Sequence, residues 1–306
     1  MEMMLREEPH VVRRIASQMR VGWWRQGTTM DAEGAIFNED DLDRDLKQLK
    51  AGPAGGVLRA MSIGVPSHLM PSDETFRPYA IRPSSETVTA FFDKWCAFVE
   101  RVVSRYSPDL LIVWPEWSDG AAWGVSDKTG IVTDYVRLLS ETYGVAHGKT
   151  SVGIGGFFLA PTPLWWPQLV AAGALEYSDA LTLHPYSHYR DLSFVADYQE
   201  RQIAEMAAFK PVYITEMGLP TVADPSTKLK GRQPETTPDG SGTVEPLTET
   251  EAARWWDVLL DIYESYCATV QVDIASPPAT DHWGSRIGIG QWPRVMDVFK
   301  RRFPLS

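Results

Sequence analysis

LLIVWPE, residues 110–116, is an unbroken apolar run that ends on proline and then on glutamate, and PVYITEMG, residues 211–218, repeats the arrangement with Glu216 straight after its apolar stretch. Short continuous apolar runs bounded by turn residues read as strands buried on both faces, the habit of parallel sheets. Working outward from these two, similar runs recur at 20–25 (RVGWWR), 56–63 (GVLRAMSI), 151–158, 180–184 (ALTLH) and 270–275. Between them lie amphipathic stretches that read as helices over 9–19, 40–50, 86–106, 129–143, about 164–173, 192–209, 249–267 and 293–302. Helix 40–50 (DDLDRDLKQLK) carries its acids first and its lysines last, which complements the macrodipole. Helix 86–106 sets Phe91, Phe92, Trp95, Phe98, Val99 and Val102 at helical spacing.

Strand alternating with helix predicts parallel βα units. Seven strands are clear, each followed by a helix, whereas a closed (β/α)8 TIM barrel needs an eighth. It belongs before residue 9, in MEMMLRE, so the first strand is expected to be short or partly missing. An open doubly wound sheet competes, but no G-x-G-x-x-G or phosphate-binding loop follows any strand. There is no internal repeat, and 219–248 reads as one long Pro-, Thr- and Gly-rich loop. The expectation is a single (β/α)8 domain over residues 1–306.

Composition narrows the partners. With 44% hydrophobic and 23% charged residues the 306-residue chain suits a packed core, not wholesale disorder. The net charge of −11 disfavours nucleic acid or an anionic membrane surface as partner, since both need clustered Lys and Arg. It suits a neutral ligand such as a sugar. Twelve tryptophans are many, and several fall in Pro/Gly-punctuated segments, where a flat ring can stack on a sugar face. Most are still expected in the core. Two cysteines, Cys96 and Cys267, give no disulfide framework; both read as buried thiols within helices, with a single bridge left open. No apolar stretch reaches the ~18 residues a membrane span needs. The opening MEMMLREEPH has no apolar segment or small-residue cleavage site, so no signal peptide is expected in it and the protein is expected to be soluble.

The chemistry lies in the residues after the strands. Parallel barrels collect their catalytic groups at the C-terminal strand ends. Here those ends carry Arg25, Glu116, His184, Tyr186, Glu216 and Asp281-His282-Trp283. A carboxylate directly after an apolar strand is costly unless paired or functional. Arg25 would serve a purely structural ion pair as well as a catalytic one.

At these residues the sequence resembles the clan A glycoside hydrolases, especially those of families 39 and 5. Their acid/base glutamate ends the fourth strand, matched by Ile112-Val113-Trp114-Pro115-Glu116, and their nucleophile ends the seventh, matched by Ile214-Thr215-Glu216-Met217-Gly218. Their sixth strand often ends H-x-Y, matched by His184-Pro185-Tyr186. Arg25 matches their second-strand arginine, and Trp283 the tryptophan that the eighth strand sets under the sugar. The resemblance implies a retaining glycosidase acting on an oligo- or polysaccharide, with Glu116 as acid/base, Glu216 as nucleophile, and Arg25 and Tyr186 keeping Glu216 ionised. One position departs: Pro115 stands where the family carries an asparagine that binds the sugar 2-hydroxyl, which puts the substrate in doubt more than the reaction. Trp117, Trp123 and His68 are further substrate-binding candidates, and Trp165 and Trp166 are placed to frame subsites. His184, His188 and Asp281-His282 are the nearest approach to a metal set, but no H-E-x-x-H is present and no H-x-H follows an early strand, so neither metal nor cofactor is expected. A non-catalytic carbohydrate-binding barrel and a transglycosylase using the same residues remain the alternatives.

Overall fold

The apolar runs do form strands. The computed structural model describes residues 1–51, 56–64, 87–117, 130–158, 165–186, 192–219, 221, 229–230, 243–244, 247–272 and 292–305. Among these, β1 (Glu2–Leu5), β2 (Trp23–Thr29), β3 (Leu58–Gly64), β4 (Leu110–Val113), β5 (Ser151–Phe158), β6 (Ala180–His184) and β7 (Val212–Ile214) run parallel. Two-residue strands β8 (Leu229–Lys230) and β9 (Thr243–Val244) pair only with each other. With β10 (Cys267–Val272) the parallel strands close a barrel in the order β1-β10-β7-β6-β5-β4-β3-β2. The helices α1 (Pro9–Ala16), α2 (Glu39–Lys50), α3 (Val88–Tyr106), α4 (Ile131–Ala146), α5 (Trp165–Ala171), α6 (Leu192–Ala207), α7 (Glu249–Tyr266) and α8 (Pro293–Arg302) follow the barrel strands in turn. This is the (β/α)8 fold.

The first strand is short but complete in its pairing. Glu2 through Leu5 align with Thr269 through Val272 of β10, while Met4 and Leu5 align with Trp23 and Trp24 of β2. Met3, Met4 and Leu5 are fully buried, so the charge that obscured this strand in the sequence lies at its two ends, on Glu2 and Arg6. Two other boundaries move. The second strand begins at Trp23 instead of residue 20 and continues through the polar RQGTT, so Arg25 lies inside the strand and not at its end. The last strand starts at Cys267, directly from α7, which places that cysteine in the sheet; Cys96 and Cys267 are both free thiols, and Cys96 is only partly buried.

Alternation along the strands divides the barrel interior into a lower apolar and an upper polar half. Met4, Trp23, Ala60, Leu110, Ile112 and Ala180 form a cluster of their own, with Tyr213 against it. One step further along the same strand faces come Arg25, Ser62, Thr182 and Thr215, all buried. The remaining apolar side chains, including Phe91, Trp95 and Phe98 of α3, pack strands against helices in the larger core. A capping box at Thr248–Glu251 starts α7, and Arg302 of α8 binds Asp257 and Glu264 along it.

Candidate active site

The end of β4 is bent by backbone geometry, not by sequence preference. Trp114 and Glu116 both have left-handed conformations, φ 51° and 61°, on either side of Pro115. For residues with a side chain that conformation costs about 1–2 kcal/mol each, so neighbouring contacts must hold it. The Trp114 amide donates to the Ile63 carbonyl (2.7 Å) and the Glu116 amide to the Gly156 carbonyl (2.6 Å). The Trp117 indole donates to the Gly155 carbonyl (3.1 Å), while Tyr135 donates to the Val113 carbonyl (2.9 Å) and accepts from the Gly155 amide (2.6 Å).

Two glycines of β5 make this close approach possible. A Cβ on Gly155 would stand 2.0 Å from the Val113 carbonyl oxygen, and one on Gly156 would stand 2.2 Å from Nε2 of His184. The β5–β6 register slips between Ile154 and Phe157, which puts a bulge at this glycine pair, next to Glu116.

Glu216 follows β7 and is held from several strands at once. Arg25 Nη2 donates to its Oε1 (2.9 Å), Arg6 Nη1 approaches the same oxygen (3.3 Å), and the Tyr186 hydroxyl donates to Oε2 (3.1 Å). Arg25, itself only 3% exposed, spends its other donors on Ser62 Oγ (2.8 Å), Gln271 Oε1 (3.0 Å) and the Thr215 carbonyl. Burial alone would push the Glu216 carboxyl up. The electrostatic pull of His184, Arg25 and Arg6, with the Arg25 hydrogen bond, outweighs that and holds it down at about 2.

His184 lies between the two glutamates. Its Nδ1 is 3.2 Å from Glu116 Oε1 and 3.8 Å from Glu216 Oε2, and its Nε2 meets Thr215 Oγ1 at 3.1 Å. The ring is fully buried, so it is fixed by these contacts. The turn after it is braced from the helix layer, because Gln199 donates to the Pro185 carbonyl (2.7 Å) and accepts from Tyr263 (2.9 Å). One ligand atom from each of Glu116, His184 and Glu216 lies within 4.8 Å of the others. Such a set can hold a cation, but the two guanidiniums on Glu216 oppose one there.

Above these groups opens a cleft of about 610 Å³, lined by Arg6, Arg25, Glu116 and Glu216 among others. Glu116 is the more accessible carboxyl, with 36% of its side chain exposed against 14% for Glu216. The structure thus brings together five residues expected from the sequence: Arg25, Glu116, His184, Tyr186 and Glu216. Trp117 differs, being fully buried and stacked on Tyr135 with ring centroids 4.3 Å apart. It packs the wall behind Glu116 and has no face turned to the cleft. Trp166 is also buried and donates to Glu205 (3.0 Å). His68, Trp123 and Trp283, with His188, Asp281 and His282, lie outside the described residues. Sequence reasoning missed Arg6, Ser62, Thr215 and Gln271. Arg6 had a usable signal, since it directly follows the apolar MML of the first strand.

No protein family matches the chain by sequence, and no curated protein does. Solved structures match it by shape. A GH39 β-xylosidase from Caulobacter crescentus is 15% identical, with a TM-score of 0.57, over 98% of this chain and 70% of its own. A GH5_18 protein from Bifidobacterium longum subsp. longum, solved with Manβ1-4GlcNAc, is 10% identical, with a TM-score of 0.60, over 96% of this chain and 71% of its own. A modular endo-β-1,4-mannanase of family 26 from Cellulomonas fimi is 15% identical, with a TM-score of 0.56, over 94% of this chain and 66% of its own. What the chain shares with them is the barrel. These neighbours are glycoside hydrolases of several families on one fold, and at such identities the likeness is one of fold.

Proposed function

We propose that this protein is a retaining glycoside hydrolase with Glu116 as acid/base and Glu216 as nucleophile. The observation that carries the reading is the approach of the two carboxyls, an oxygen of each within 4.8 Å of the other. Retaining enzymes hold their pair about 5–5.5 Å apart, while inverting enzymes leave about 6.5–9.5 Å for a water. The spacing also runs against a barrel that only binds carbohydrate.

The asymmetry of the pair supports the assignment of roles. Glu216 is ionised and aimed, as a nucleophile must be. Glu116 is the more exposed and faces the cleft, where a leaving oxygen would sit. In the first step the Glu116 proton goes to the glycosidic oxygen, the bond from that oxygen to the anomeric carbon breaks, and Glu216 bonds to the anomeric carbon. In the second, Glu116 takes a proton from water, whose oxygen displaces Glu216. His184, within hydrogen-bond reach of Glu116 and close to Glu216, orients the first beside the second. If a second sugar instead of water intercepts the intermediate, the same residues perform transglycosylation. Pro115 lines the cleft without a polar side-chain group, so any 2-hydroxyl contact there falls to another residue.

The test is hydrolysis of a panel of aryl β-glycosides by wild type and Glu216→Ala, with 2-deoxy-2-fluoro glycosides as labels. The variant is expected to lose about 10⁴-fold or more in kcat, and the fluorosugar to attach to Glu216. Unchanged turnover in Glu216→Ala and Glu116→Ala would sink the assignment.

A further inference from the structure

The cleft extends away from the two glutamates toward the connection between β2 and α2, and that end is built in a way the proposed chemistry does not use. Residues 30–37 form a tight hairpin. Met30 and Ile36 pair as an antiparallel bridge and are buried, Asp31 Oδ1 accepts from the amides of Glu33 (3.0 Å) and Ala35 (2.7 Å), and Lys94 of α3 donates to the Ala32 carbonyl (3.0 Å). Gly34 turns the hairpin at φ 82°. The Phe37 amide donates to the Thr29 carbonyl (3.0 Å), so its backbone is anchored as well. The Phe37 side chain is nevertheless 74% exposed, the highest value among the large exposed hydrophobics described, and it lines the cleft.

Single exposed apolar side chains are common on protein surfaces. This one differs in being held by a braced hairpin over a polar cleft. The cleft wall also includes Gly27 of β2 and Gly64 of β3, which stand opposite Ser62 and Thr29. A Cβ on Gly27 would meet nothing nearer than 3.9 Å and one on Gly64 nothing nearer than 4.0 Å. Neither glycine is required by packing; both keep that part of the cleft open. Next to it in sequence, Asn38 also lines the cleft and donates one amide N–H to the Gly27 carbonyl (3.2 Å), its second meeting no acceptor among the described residues. A flat apolar face beside an amide donor fits a pyranose ring, which presents axial C–H groups on a face and hydroxyls at its rim.

We infer that Phe37 and Asn38 form a second sugar subsite, so that the substrate is an oligosaccharide in which the unit adjoining the cleaved residue stacks on Phe37. The inference rests on the glycosidase reading for its substrate class. It separates from that reading in a binding assay that needs no turnover.

Xylotriose, mannotriose and cellotriose would be titrated into Glu216→Gln and into Glu216→Gln/Phe37→Ala, alongside kinetics of wild type, Phe37→Ala and Phe37→Trp. The kinetic probes are 4-nitrophenyl β-monoglycosides and β-biosides of xylose, mannose and glucose. Phe37→Ala is expected to weaken trisaccharide binding, and to raise KM for the bioside, on the order of tenfold. The monoside is expected to keep its KM and kcat, and Phe37→Trp to restore the bioside. Loss of hydrolysis of the whole panel in wild type, with trisaccharide binding still dependent on Phe37, would overturn the catalytic reading and keep the subsite. Equal effects of Phe37→Ala on monoside and bioside, or trisaccharide affinity unmoved by it or absent, would overturn the subsite.

Discussion

Arg25 and Glu216 form a buried ion pair, Nη2 to Oε1 at 2.9 Å, that joins β2 to the end of β7 across the mouth of the barrel. Arg25 is only 3% exposed, and three more of its donors are spent on Ser62, Thr215 and Gln271. Truncating one member of such a pair leaves the other charge buried, which typically costs about 3–5 kcal/mol. Arg25→Met is therefore expected to be strongly destabilised in urea unfolding, and Arg25→Met/Glu216→Gln to regain part of the loss. A double variant no more stable than Arg25→Met alone would show that the charge on Glu216 is not what Arg25 balances.

The same pairing sets an acid-stability signature. Glu216 has a folded pKa of about 2 against an ordinary 4.5. Its contribution is thus complete above the ordinary value and is lost as pH falls through about 2. The shift corresponds to roughly 3 kcal/mol. Between those limits the wild type should lose that much more stability than Glu216→Gln, which has no carboxyl to protonate. Superimposable curves of unfolding free energy against pH would contradict the pairing.

Tyr186 gives Glu216 one hydrogen bond to Oε2 at 3.1 Å. Hydrogen bonds to charged groups contribute about 1.5–3 kcal/mol. In Tyr186→Phe, kcat for a glycoside that the wild type cleaves should fall about 10- to 100-fold, and the acid limb of kcat/KM should move up as Glu216 becomes easier to protonate. A drop in activity with an unmoved acid limb would mean that Tyr186 touches substrate and not the nucleophile.

Gly155 and Gly156 predict two different kinds of damage. The Cβ of Gly155→Ala would run into the backbone of Val113 and Trp114, which can yield only by moving β4. Overpacking of this kind costs about 1–3 kcal/mol or more, so a marked fall in Tm is expected. The Cβ of Gly156→Ala would instead strike the His184 ring, so kcat should suffer more than Tm. Calorimetry and kinetics on both variants check the contrast.

The two thiols should differ in reactivity. Burial pushes Cys267 up to about 12, leaving almost no thiolate at neutral pH; Cys96 is also raised by burial, but its side chain is only partly buried and open to a reagent. A disulfide reagent should modify Cys96 first in the folded protein and reach Cys267 only on unfolding. Mass spectrometry of the labelled peptides reads the order directly.

Much of this protein was legible from its sequence because continuous apolar runs report burial directly. LLIV and the run before Glu216 lie in β4 and β7, and ALTLH is β6. The glutamates stood out because each directly follows such a run. Where the barrel interior turns polar the same signal fails: β2 continues through Gln26-Gly27-Thr28-Thr29, which carry no apolar run, so Arg25 reads as the end of a strand instead of a position within it. The first strand is obscured by Glu2 and Arg6 at its ends, and with it Arg6, which meets Glu216, 210 residues away. No local pattern encodes that contact, nor that of Gln271 with Arg25, because these residues come together only where β1 pairs with both β2 and β10 and closes the barrel. The sequence by itself determined where most of the barrel strands lie and which carboxylates follow β4 and β7. Only the tertiary structure decided that Arg6, Arg25, Tyr186 and His184 converge on one carboxyl, because the balance of burial against charge on Glu216 is set by groups that the chain brings together only when the ring is closed.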